Sequence, residues 1–68
     1  MNKTDIKNEM VKFVGGGLFI RKYQLAQFMG FKDPNTCRRY LAGLEKVSTD
    51  FYYIPDVAQS IAEKSEVN

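Results

Sequence analysis

Residues 22–44, KYQLAQFMGFKDPNTCRRYLAGL, decide how this chain is read. Tyr23, Ala26 or Leu25, and Phe28 or Met29 recur at helical spacing and predict a helix with that face buried, leaving Gln24 and Gln27 outside. Gly30 stops that helix, because glycine alone adopts the left-handed backbone of a helix end without steric cost. A second helix starts almost at once: Asp33 is a good N-cap, and Pro34 falls at the first helical position, where its missing N–H is no loss. Cys37, Tyr40, Leu41 and Leu44 lie at i, i+3, i+4 and i+7, which fixes its buried face. Asn35, Thr36, Arg38, Arg39 and Ala42 are left pointing to solvent. The stretch therefore reads as helix, tight glycine turn, helix.

Working outward, TDIKNEMVKFV (residues 4–14) carries Ile6, Met10, Phe13 and Val14 on one helical face, with Thr4 or Asp5 as cap. Gly15 to Gly17 end it. The apolar Leu18-Phe19-Ile20 reads as a short strand. After the helix pair, residues 45–54 hold two short segments with β-branched or aromatic residues on either side of Ser48-Thr49-Asp50, and are expected to form a hairpin. Pro55 and Asp56 open a last helix, residues 55–64, with Val57, Ala58, Ile61 and Ala62 inward, and the terminal SEVN is expected to fray. The fold class expected is α+β, mostly helical: one domain over 1–68 with a short β-hairpin.

The totals limit what such a domain can be. A chain of 68 residues buries little more than half of the surface its unfolded form exposes, so its stability is modest. One cysteine and no histidine exclude an intrachain disulfide and ordinary zinc-finger patterns, so packing alone must supply the core. No apolar run approaches the roughly 18 residues a membrane span requires, and the start MNKTDIKNEM lacks the apolar core of a signal peptide. Together with a lone cysteine, this gives the expectation of a cytoplasmic protein that binds no membrane.

The net charge of +2 is small but unevenly spread. Residues 20–47 carry Arg21, Lys22, Lys32, Arg38, Arg39 and Lys46 against Asp33 and Glu45, a balance of +4, while residues 48–68 carry Lys64 against Asp50, Asp56, Glu63 and Glu66, a balance of −3. An electrostatic footprint on phosphate needs that kind of separation. A pair of short helices whose second member exposes polar and basic residues is the plan of the helix-turn-helix, which lays the second helix in the major groove, with the hairpin as a wing. Arg21 and Lys22 stand at the start of the first helix, where a phosphate would be met. Asn35 can pair with adenine or phosphate, Arg38 and Arg39 can fork to guanine O6 and N7 or clamp phosphates, and Thr36 can reach either. Lys32 precedes them, and Lys46, Ser48 and Thr49 near the hairpin tip are candidates for minor-groove or phosphate contact.

Taken as a whole, KYQLAQFMGFKDPNTCRRYLAGLEK followed by FYYIPDVAQSIAEK resembles the small winged helix-turn-helix proteins of Gram-positive bacteriophages and related mobile elements. These are grouped with excisionases and with the DNA-binding domain of MerR-type regulators. The resemblance covers roughly residues 18–64, and its most specific parts are the MGFKDP junction and the IPDVA start of the last helix. It implies sequence-specific binding of double-stranded DNA in a bacterial host cell, as an excisionase (recombination directionality factor) or a small transcriptional regulator. Asn35, Thr36, Arg38 and Arg39 match the family's recognition helix. A phage integrase as partner and self-association on DNA are further expectations, the second because a monomer of charge +2 is too weakly basic to hold an isolated site tightly.

The plainer readings have their own weight. Two adjacent arginines on an arbitrary helix are more often a solvated face than a reader, and only the Asp33-Pro34 start after a glycine turn shifts the balance. Cys37 sits on an apolar face with no histidine to serve as its base, so a buried thiol is expected and not a nucleophile. FVGGGLF lacks the lysine and hydroxyl residue that a phosphate-binding loop places after its last glycine, so it reads as a helix stop. No enzyme, cofactor, metal or small-molecule substrate is expected. The rival function is a phage protein-interaction module that uses the same fold, with the basic helix or the acidic last helix docked on another protein.

Overall fold

The computed structural model describes residues 2–48 and 50–65. Its order is α1 (Lys3–Phe13), β1 (Phe19–Arg21), α2 (Lys22–Met29), a 3-10 turn (Pro34–Cys37) running into α3 (Arg38–Leu41), β2 (Phe51–Tyr53) and α4 (Ile54–Ser65). The chain is α+β and mostly helical, with one two-stranded antiparallel sheet.

α1 is capped by Asn2, whose Oδ1 accepts the Asp5 backbone N–H at 2.9 Å, so the cap lies before the expected Thr4 or Asp5. Gly16 closes the helix at φ 109°, with its N–H donating to the Val11 carbonyl at 2.8 Å. Ile6 and Met10 are buried as expected, but Phe13 is 45% exposed and meets Phe28 edge-on, with ring centroids 5.6 Å apart.

α2 ends where the sequence places its stop. Gly30 is left-handed at φ 80°, and the Phe31 N–H donates back to the Ala26 carbonyl at 2.8 Å. The second helix begins as expected: Asp33 Oδ1 accepts the Asn35 N–H at 2.9 Å, and Pro34 occupies the first turn. That turn is wound tighter than α, since the Thr36 N–H bonds the Asp33 carbonyl at 3.0 Å. The helical course also stops at Leu41, three residues short of the expected Leu44. Gly43, at φ 85°, takes a conformation that no helix continues through.

The strand pairing corrects the expected hairpin. Residues 45–54 do not form two paired strands of their own. β2 is laddered to β1, thirty residues earlier, in the register Phe19↔Tyr53, Ile20↔Tyr52, Arg21↔Phe51. The segment before it joins through a single bridge, Lys46↔Tyr52, and the Val47 N–H to Phe51 carbonyl bond at 2.8 Å. Period-two alternation buries Ile20 and Tyr52 and turns Phe19, Arg21, Phe51 and Tyr53 to the opposite face.

α4 starts at Ile54, directly from β2, and is the central element of the core. It packs most extensively on α1 and also meets α3 and β2. Val57, Ala58 and Ile61 are buried on it together with Met10, Ile20, Leu25, Cys37 and Leu41 from the other elements. Ser60 is a buried polar residue of α4, and Ser60 Oγ donates to the Tyr40 carbonyl at 2.6 Å while accepting from Lys64 Nζ at 3.0 Å. That carbonyl lies in the last turn of α3 and has no partner within so short a helix, so Ser60 fastens α3 to α4 through a group that would otherwise be orphaned. No helix among the described residues is long and apolar enough to cross a membrane.

Candidate nucleic-acid interface

The side chains named from the sequence gather in two places. The first is the junction of α2 with the Pro34 turn. With Leu25, Ala26 and Met29 facing the core, the helical period carries Lys22 to the flank of that face, where it is half-buried, and swings Tyr23 out to 49% exposure. Tyr23 was expected inward; the core stripe is centred on Leu25, Ala26 and Met29, and Tyr23 lies too far round the helix to join it. Lys22 Nζ reaches Asn35 Oδ1 at 3.4 Å, tying the start of α2 to the start of the second helix. Asn35, Thr36, Arg38 and Arg39 are all exposed, as is Ala42 beyond them.

Beneath this surface Cys37 is fully buried. Burial pushes its thiol above the ordinary range, an effect that the nearby Lys22 ammonium partly offsets, so the sulfur stays protonated and serves as core. Arg39 lies over the Tyr40 ring at 5.2 Å, and Tyr40 is stacked on Phe31 at 6.5 Å and 15°. An aromatic base of this kind restricts the guanidinium and lowers the entropy lost on engaging a ligand. Sequence reasoning did not find the stack, because Phe31 sits in a turn where no periodicity marks it.

The second place is the outer face of the sheet. Arg21 projects there over Phe51, 4.6 Å from its ring centroid, while its backbone N–H donates to Gln24 Oε1 at 2.9 Å and so closes the first turn of α2. Phe19 and Tyr53 form a tilted pair at 5.7 Å on the same face. Lys46 and Ser48 are exposed on the segment before β2, and Lys32 is exposed in the turn before Asp33. Neither Lys32 nor Ser48 makes a side-chain hydrogen bond or ion pair with the other candidates among the described residues, and Thr49 lies outside them.

Charge follows the same division. Among the described residues the one ion pair joins Lys12 and Glu9 at 3.7 Å, both exposed on α1. The six cations Arg21, Lys22, Lys32, Arg38, Arg39 and Lys46 have no described carboxylate within pairing distance. Asp56 and Glu63 stand on α4 and border a cavity of about 280 Å³ with Ala42, Gly43 and Gln59.

No family model, curated protein or solved structure matches this chain.

Proposed function

We propose that the chain binds double-stranded DNA as a winged helix-turn-helix domain, with Asn35, Thr36, Arg38 and Arg39 in the major groove. In this reading Arg21, Lys22 and Lys32 meet phosphates beside the groove, and the segment around Lys46, Ser48 and Thr49 forms the wing. The observation that carries it is the exposed turn holding Asn35, Thr36, Arg38 and Arg39, bonded through Asn35 to Lys22 and free of described ion pairs. Cations neutralised within the protein would have little to gain from phosphate; these six gain the entropy of the counterions they displace. Excision in a phage or mobile element, alongside an integrase, and small-scale transcriptional control are the two settings such a domain serves. Self-association along DNA compensates for the small net charge.

The test is the salt dependence of binding to a short duplex, read by fluorescence anisotropy. About five neutralised phosphates predict a log-log slope of roughly −4 to −5 between 50 and 200 mM salt. A slope near zero, or no binding at the lowest salt, contradicts the reading.

A second reading, a protein-interaction module on the same fold, is favoured by the outer sheet face. Val47 is 56% exposed, Phe19 42% and Tyr53 38%, an apolar cluster that phosphate does not need.

A further inference from the structure

We infer that the outer face of the sheet binds unpaired nucleobases, which stack on its side chains while the adjoining phosphates meet Arg21. The inference goes beyond the duplex-binding reading, which leaves the rings of this face unused.

Four side chains stand on this face as two cross-strand pairs. Phe19 lies opposite Tyr53, with ring centroids 5.7 Å apart and 44° between the planes, and Arg21 lies opposite Phe51, with its guanidinium 4.6 Å from the ring centroid. The register gathers them: Ile20 and Tyr52 turn into the core, so the residues on either side of each must turn out. Next to these pairs, Phe19, Val47, Ser48 and Phe51 line an open recess of about 310 Å³. That volume falls at the small end of the roughly 300–1,000 Å³ of ligand pockets, and the lining has their usual character, apolar walls with a polar group, here the Ser48 hydroxyl.

An occupant must match exposed aromatic planes and a cation together. A nucleobase stacks on a phenyl or phenol ring or on a guanidinium plane, and its phosphate carries the charge that Arg21 needs, since no described carboxylate lies within pairing distance of that side chain. Lys46, exposed and next to Val47 in the chain, adds a second cation. In an intact duplex the base faces are covered by their neighbours, so an unpaired strand or a base turned out of the stack is what can use these rings. Size decides against a protein partner. Two strands of three residues each, at about 3.3 Å per residue and 4.8 Å apart, make a patch roughly 10 Å on a side, far below the roughly 800 Å² that each partner gives to a stable protein interface. A base or two covers it.

The experiment measures, by fluorescence anisotropy at one low salt concentration, the affinity of the 68-residue chain for a short oligothymidylate, for an abasic oligomer of the same length and charge, and for a duplex. The expected result is binding of the oligothymidylate about tenfold tighter than of the abasic strand, because stacking and not charge separates the two. Phe19→Leu with Tyr53→Leu keeps the apolar bulk and removes both rings; in a variant shown by circular dichroism to be folded, oligothymidylate affinity is expected to fall about tenfold and duplex affinity to change by about twofold or less. Equal affinity for the two single strands overturns the inference, as does a folded double variant that keeps the preference. Self-association without nucleic acid that the double variant abolishes, with no preference for bases, assigns the face to a second copy of the chain and overturns it as well. Failure on the oligothymidylate with duplex binding intact strikes this inference alone, and failure on the duplex with oligothymidylate binding intact strikes the duplex reading alone.

Discussion

Replacing Arg38 and Arg39 together by alanine is expected, on the proposed duplex-binding reading, to lower duplex affinity about a hundredfold while the protein melts within a few degrees of the parent. The size follows from two contacts, each worth about 1–3 kcal/mol when made to a base edge and less when made to a phosphate. The small effect on folding follows from position: both side chains are exposed and neither has an ion pair among the described residues. Arg39 loses its place over Tyr40, a contact worth about 0.5–1 kcal/mol at an exposed site. Anisotropy and a thermal melt on the same preparation separate the two effects. Unchanged affinity in a folded double variant would remove the second helix from the interface.

The opposite pattern is expected of Leu25→Ala. Leu25 is fully buried on α2, and truncating a leucine in such a site costs about 2–5 kcal/mol through lost transfer energy and the cavity left behind. A domain of 68 residues holds a total stability of only roughly 3–10 kcal/mol, so this one change removes a large part of it. Melting is expected to fall by roughly 8–40 °C, since each kcal/mol moves a domain of this size by about 4–8 °C. Duplex binding is expected to be lost with the fold and to return on cooling, whereas the arginine variant is expected to stay folded and to bind about a hundredfold more weakly. Circular dichroism melts in the presence and absence of duplex distinguish the two.

The parts of the fold visible in the sequence are those fixed by local chemistry. Gly30, Asp33 and Pro34 each dictate a backbone state within one or two residues, and the turn they define stands where it was expected. The buried positions Ile6 and Met10 of α1 and Val57, Ala58 and Ile61 of α4 were visible too, because helical spacing repeats over three turns, although Phe13 of the same α1 face is exposed. What was hidden depends on partners distant in the chain. β2 is laddered along its length to β1 and joins the segment beside it through a single bridge only, and nothing in residues 45–54 announces that preference. The second helix was expected to run to Leu44, and the φ of 85° at Gly43 is what ends it early. Tyr23 was placed inward by helical spacing, yet the core on that side is filled by Leu25 and Ala26. At the candidate interface, the exposure of Asn35, Thr36, Arg38 and Arg39 was legible from the wheel of one helix. The Lys22 to Asn35 bond and the Arg39, Tyr40, Phe31 stack were not, since each joins residues whose proximity the turn alone creates.

The most direct test of the central claim is an amide NMR titration of the full-length protein with a short duplex, run at low and then at higher salt. Shifts confined to Arg21 and Lys22, to Asn35 through Arg39 and to the segment around Lys46, fading as salt rises, are what duplex binding through this face predicts. Shifts confined to Asp56 through Glu63 on α4, or no shifts at low salt and high protein concentration, would contradict it.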